Sequence, residues 1–238
     1  MLRKFVARAL AALLLVAGAA LADEASVKKA FEALPQLKGK KVDGVRKTSQ
    51  LGLYEIRLGN QLFYTDEKAK YIFDGNIIEA QSGINLTEER MSVITAINFS
   101  ELPLDLAVKT VRGNGKRILA TFEDPNCGYC KVLAKDMQGM DNLTIYTFLL
   151  PIIAADSPEK ARAVWCSPDR SKAWNDLMTK DVPPAGGNCV PPTEKVKALA
   201  IKLNVSATPT IFLSNGERHP GAVPAAKLEE MLKKIAAK

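Results

Sequence analysis

Cys127-Gly128-Tyr129-Cys130 sets two thiols three residues apart. On a helix that spacing puts both on one face, one turn apart, close enough to close a small disulfide or to resolve a mixed one. The residues before it, Ile118-Leu119-Ala120-Thr121-Phe122-Glu123-Asp124-Pro125-Asn126, form an apolar, β-prone run ending in an acidic turn with proline. Asn126 is read as the cap of a helix that begins at Cys127. Unpaired backbone N–H groups and the positive helix end favour a thiolate at Cys127. The chemistry this pattern supports is thiol–disulfide exchange. A zinc site is the first rival, but Cys166 and Cys189 are far apart and His219 is the sole histidine, so the ligand spacing would be irregular. A purely structural Cys127–Cys130 bridge is the second. So tight a loop constrains little of the unfolded chain. With no second histidine or obvious base, a cysteine-protease mechanism is disfavoured.

The segments that must position this pair begin after an export signal. Arg3, Lys4 and Arg8, an apolar run from Ala9 to Ala17, and Ala20-Leu21-Ala22 read as a cleavable signal over residues 1–22. An uncleaved anchor is the rival reading. The run is short for a span of roughly 20 residues, and Asp23-Glu24 follow at once. Removing the three cations takes the formal charge from +7 to a mild positive value, with the lysines scattered, so nothing calls for nucleic acid. All four cysteines lie beyond the signal, an even number suited to an oxidising compartment.

Asp23 to Leu37 reads as a short amphipathic helix bearing Val27, Ala30, Phe31 and Leu34. Strands follow: Tyr54 to Leu58, a Gly59-Asn60 turn, Leu62 to Thr65, and a second hairpin of Tyr71-Ile72-Phe73 with Ile77-Ile78. About sixty residues is marginal for independent stability, so burial against a second copy is one expectation and packing on the next domain the other. A helix capped by Asn85 or Thr87 connects residues 84–103. The second domain, 104–238, shows a strand at Lys116 to Phe122 leading to the cysteine helix, a strand at Leu143 to Leu150, and helices from Ser157, from about Asp169, and from Thr193. A Pro/Gly-rich loop with Cys189, a strand Ile211 to Leu213 opened by Thr208-Pro209-Thr210, an Asn215-Gly216 hairpin and a last helix with Leu228, Met231, Leu232 and Ile235 complete it. The order implies a mixed sheet flanked by helices.

Phe122-Glu123-Asp124-Pro125-Asn126-Cys127-Gly128-Tyr129-Cys130-Lys131, the helical stretch with Trp165-Cys166, and Thr208-Pro209 about eighty residues on together resemble the periplasmic disulfide isomerases of the DsbC type, which carry a thioredoxin fold. The resemblance implies a fold class: an α+β N-terminal dimerisation domain at 23–83, a linker helix at 84–103, and an α/β thioredoxin-fold domain with a helical insertion at 104–238. It implies Cys127 as attacking thiol, Cys130 as resolving thiol, and a cis Pro209 whose neighbour Thr208 offers backbone to substrate. It also implies a structural disulfide between Cys166 and Cys189. A metal or organic cofactor is not required. Implied partners are a second copy, misfolded exported proteins, and a membrane thiol reductase of the DsbD type. The implied place is the periplasm of a Gram-negative bacterium, where the sequons at Asn85, Asn98, Asn142 and Asn204 have no bearing, and the Ala-Ala-Lys end shows no endoplasmic-reticulum retention signal. Alternatives are a DsbG-type reductase of oxidised single cysteines, a non-redox dimeric holdase, and a DsbA-type oxidase, against which the N-terminal strands argue. One departure stands out. Thr121 occupies the place of the buried carboxylate of thioredoxins, leaving Glu123, Asp124 or water to handle the Cys130 proton, with both acids otherwise read as an exposed turn pair. His219, after a hairpin, is read as a surface residue.

Overall fold

The computed structural model describes residues 23–37, 39–49 and 51–236; the expected signal segment lies outside them. Its contacts divide the chain into two compact units, the first ending at Gly75 and the second beginning at Asn76.

In the first unit, helix α1 (Glu24–Glu32) is capped by Asp23, whose carboxylate accepts the Ser26 N–H at 2.6 Å. It buries Val27 and Phe31. Strands β1 (Gly44–Lys47), β2 (Tyr54–Leu58), β3 (Gln61–Thr65) and β4 (Ile72–Phe73) form an antiparallel sheet in sequence order. Tyr54 and Ile56 pack with Val27, Phe31 and Val42 into a small core. The edge strand β4 leaves Ile72 and Phe73 exposed, with Tyr71 beside them. The expected hairpin of Tyr71–Phe73 with Ile77–Ile78 does not form. β4 pairs with β3, while Ile77 donates its N–H to the Thr87 hydroxyl at 2.9 Å and Ile78 bridges to Asn85. Those side-chain and backbone partners compete successfully with a second tight turn.

The second unit opens with helix α2 (Leu86–Ile94), whose cap is the Asn85 side chain accepting the Glu88 N–H at 3.1 Å. The helix is shorter than the connector read over 84–103. Ile97 then donates its N–H to Gly216 O at 3.0 Å. Gly216 has φ +88, and a Cβ there would stand 2.0 Å from Ile97 O, so this close approach requires glycine. The remaining elements are β5 (Val108–Arg112), β6 (Arg117–Glu123), α3 (Gly128–Asp136), β7 (Leu143–Leu149), α4 (Ser157–Trp165), α5 (Arg170–Lys180), α6 (Thr193–Lys202), β8 (Thr210–Leu213), β9 (Arg218–Pro220) and α7 (Ala225–Ala236). The sheet order is β5-β7-β6-β8-β9, with β6 and β7 parallel and the other pairs antiparallel.

β6 is the central strand and is covered on both faces, as its continuous apolar run requires. Leu119 packs with Leu133, Met137 and Leu228 on one side. Ala120 and Phe122 pack with Phe148, Val196 and Phe212 on the other, the Phe122 and Phe148 rings stacking at 4.7 Å. Each such buried aromatic contributes roughly 1.5–3 kcal/mol relative to exposure. The end of β6 is thereby fixed, and it delivers the chain into the cysteine helix.

Candidate active site

Leaving β6, the chain turns at Asp124-Pro125-Asn126. Asp124 is fully buried, yet its carboxylate accepts four hydrogen bonds: Asn126 N–H at 2.7 Å and Ser157 O–H at 2.9 Å on one oxygen, Ile152 N–H at 2.7 Å and Ile153 N–H at 2.9 Å on the other. A buried carboxylate so supplied with donors holds a turn firmly. Its backbone carbonyl also accepts the Cys127 N–H at 3.1 Å.

The cap of α3 differs from the expectation. Cys127 itself is the N-cap, with φ −74 and ψ 115, and its sulfur accepts the Cys130 N–H at 3.3 Å. Asn126 is drawn away by α4: its amide donates to Asp156 at 2.9 Å and to the Ser157 hydroxyl at 2.8 Å, and its oxygen accepts from Lys160 at 2.6 Å. The first thiol thus stands at the positive end of the helix and takes one of its orphan N–H groups. Of the pair, Cys127 is 3% exposed and Cys130 is completely buried, while Tyr129 between them projects into solvent. Both thiols are free. Burial above all, and then the Glu123 charge, drive the Cys130 thiol strongly up.

The Thr208–Pro209 peptide bond is cis. The Thr208 carbonyl accepts from Cys127 Sγ at 3.2 Å, bringing the loop before β8 against the cysteine pair. The Thr208 hydroxyl is buried and has no hydrogen-bond partner among the described residues. Cys166 and Cys189 form a disulfide with their Cα atoms 5.5 Å apart. It ties the end of α4 to the 182–192 loop, where Arg162 also donates to Gly187 O at 2.9 Å. The four residues 127, 130, 208 and 209 therefore gather at one place, and the Cys166–Cys189 bond is a separate tether.

Neither acid beside the motif is part of an exposed pair. Glu123 is 1% exposed and Asp124 is fully buried. α4 and the 152–153 backbone cover the turn, a long-range event that a local reading of two adjacent acids misses. Burial pushes the Glu123 carboxyl from 4.5 up to about 7, against the opposing Thr121 hydrogen bond. His219 is likewise half-buried rather than on the surface; burial lowers its pKa despite Glu217 nearby. Among the described residues no three histidine, cysteine or acidic side chains converge to hold a metal.

Residues 104–236 match a family described as a thioredoxin-like domain, and residues 18–88 match the disulfide bond isomerase protein N-terminal domain. A Bordetella parapertussis protein named probable thiol:disulfide interchange protein DsbC is 44% identical over 207 residues, spanning 87% of this chain and 73% of that protein. The chain belongs to the DsbC family of thiol:disulfide interchange proteins. The Escherichia coli K12 thiol:disulfide interchange protein DsbC is a more distant relative, 26% identical over 220 residues, 90% of this chain and 89% of its own. A crystal structure of a disulfide interchange protein from Neisseria gonorrhoeae matches at a TM-score of 0.54 and 40% identity, over 56% of this chain and 97% of that one. For a DsbC-family chain with four cysteines, one free pair and one joined pair, exchange chemistry has two candidate seats. Only the free pair sits at a helix N-terminus.

Proposed function

We propose that this chain isomerises or reduces wrongly paired disulfides in exported proteins through Cys127 and Cys130. Cys127 as thiolate attacks a substrate disulfide, forming a mixed disulfide and releasing a substrate thiolate. A second substrate thiol displaces Cys127, which is isomerisation, or Cys130 displaces the substrate, which is net reduction. The second route leaves the pair oxidised and needs electrons from a membrane thiol reductase of the DsbD type. The observation that carries the reading is Cys127 as N-cap, its sulfur on the Cys130 N–H and beside the Thr208 carbonyl. Thr208 and Pro209 then present backbone to an extended substrate segment, and Cys166–Cys189 acts as a staple for the insertion.

Residues 23–83 serve as the dimerisation domain, 84–103 as the connector and 104–238 as the catalytic domain. The exposed apolar edge of Tyr71, Ile72 and Phe73 supports burial against a second copy, since open edge strands with apolar side chains favour pairing. The place of action is the periplasm. The test is refolding of a scrambled disulfide substrate alongside sedimentation. The full chain should be a dimer that isomerises. Removal of residues 23 to about 100 should leave a monomer that reduces but isomerises poorly. A monomeric full-length protein, or a truncated form that isomerises as well as its parent, would overturn this division of labour.

A further inference from the structure

Glu123 lies on the same face of β6 as Leu119 and Thr121, the face covered by α3. In the parallel register it stands beside Leu149, which packs in one cluster with Cys130, Ala134, Leu177 and Met178. One carboxyl oxygen, Oε1, accepts the Thr121 hydroxyl at 2.7 Å, and the Thr121 and Thr147 hydroxyls are 3.2 Å apart. The other oxygen, Oε2, is buried and has no hydrogen-bond partner among the described residues. A buried carboxyl with one oxygen anchored and one empty is costly to keep, and it retains the capacity to bind a proton.

Among the described residues no charged side chain is hydrogen-bonded to that oxygen. Next in the chain, just past β6, Asp124 turns to Ile152, Ile153 and Ser157. From α5, Asp176 is paired with Lys172 and Lys180. From α4, Glu159 pairs with Arg162, and Lys160 with Asp156. β7 brings Thr147 and Leu149, and on β5 Lys109 lies over the Tyr146 ring. α3 brings Cys130, whose thiol interacts with the Glu123 charge.

We propose that Glu123 accepts the Cys130 proton when Cys130 resolves a mixed disulfide. This rests on the reading of Cys127 as attacking and Cys130 as resolving thiol. In the step, the Cys130 S–H bond breaks and its proton passes, relayed by one intervening water, to Oε2 of the Glu123 carboxylate. The Cys130 sulfur forms a bond to Cys127 Sγ, and the bond between Cys127 and the substrate sulfur breaks. The substrate sulfur leaves with the electron pair and takes a proton from water. Cys127 and Cys130 are oxidised to a disulfide, and the substrate is reduced by the same two electrons. Glu123 afterwards returns its proton to solvent, a transfer suited to neutral pH because burial has brought the group to about 7. Thr121 holds Oε1, with the Thr147 hydroxyl behind it, which leaves Oε2 as the oxygen that receives.

The test is rapid-mixing kinetics of the reduced protein with a peptide disulfide, followed across pH, with attack by Cys127 measured separately in a Cys130→Ser background. Glu123→Gln should slow the resolving step by at least about tenfold, the low side of what proton transfer contributes. It should also remove the inflection near 7 while leaving attack by Cys127 unchanged. Thr121→Val, which deletes the hydroxyl that favours the ionised carboxyl, should keep resolution and move the inflection to higher pH. A Gln variant that resolves with the parent's rate and profile overturns the proposal, as does one in which attack slows by the same factor. A Cys127→Ser protein that still exchanges disulfides would instead sink the underlying reading, a result separate from either Glu123 outcome.

Discussion

Cys127 Sγ lies 3.2 Å from the carbonyl oxygen of Thr208, so the first thiol and the loop ending in the cis proline share one hydrogen bond. A carbonyl can accept from a thiol but repels a thiolate, whereas the Cys130 N–H, 3.3 Å away, serves either form. Ionisation of Cys127 would therefore release the Thr208 carbonyl, the backbone group proposed above to meet a substrate strand.

From that arrangement Cys127→Ser should abolish exchange, while Cys130→Ser should accumulate mixed disulfides with substrate through Cys127. Non-reducing gels and mass mapping of the trapped bond decide it. Trapping through Cys130 would reverse the two roles.

The Cys166–Cys189 bond closes a loop with a sequence separation of 23, far longer than the C-x-x-C loop. Chain entropy values such a closure at roughly 3–4 kcal/mol. Cys166→Ala/Cys189→Ala should lose stability on that scale in urea and keep most of its exchange activity. A folded double variant without activity would show that the tether does more than staple.

Asp124 is the anchor between the cysteine turn and α4. Asp124→Asn replaces two accepting lone pairs with an N–H₂ that faces donors, and should cost about 2–4 kcal/mol. Ser157→Ala, removing one donor, should cost about 1 kcal/mol. Both should slow alkylation of Cys127 in the order of their stability loss. Unchanged alkylation in a destabilised Asp124→Asn would separate the anchor from the reactive thiol.

Glu123 also shapes stability with pH. Its folded-state pKa is raised, from 4.5 to about 7, so the folded chain holds a proton that the unfolded chain has released. Stability from this group is greatest below 4.5, falls as pH rises to about 7, and carries a constant penalty above. Glu123→Gln should flatten that slope and add on the order of 3 kcal/mol at pH 8. Urea unfolding of the reduced protein at pH 5 and pH 8 measures the difference. A Gln variant with the parent's pH slope would mean that the carboxyl titrates normally.

Much of this was legible from local chemistry. Alternation in Tyr54 to Leu58, the Gly59-Asn60 turn, Asn85 before α2, Pro158 at the start of α4 and Asn215-Gly216 between β8 and β9 each act within a few residues, and each produced its element. What escaped depends on distant partners. β5 went unread, although Val108–Arg112 alternates in burial, because its evidence is the pairing with β7. Asn126 is a good cap by type, but α4 offers it Asp156, Ser157 and Lys160 together. The burial of Glu123 and Asp124 arises where β6 meets the 152–153 backbone, and no adjacent residue announces it.

Both tryptophans of the chain, Trp165 and Trp174, lie in the cluster that contains Cys127 and Cys130. Thiolates and disulfides quench indole emission at short range. The molecule therefore carries an optical gauge of its own redox state, with no label attached. Excitation selective for indole leaves residues 23–75, which contain tyrosine and no tryptophan, dark. A fluorescence titration against a glutathione buffer would then follow the second unit alone, inside the intact protein.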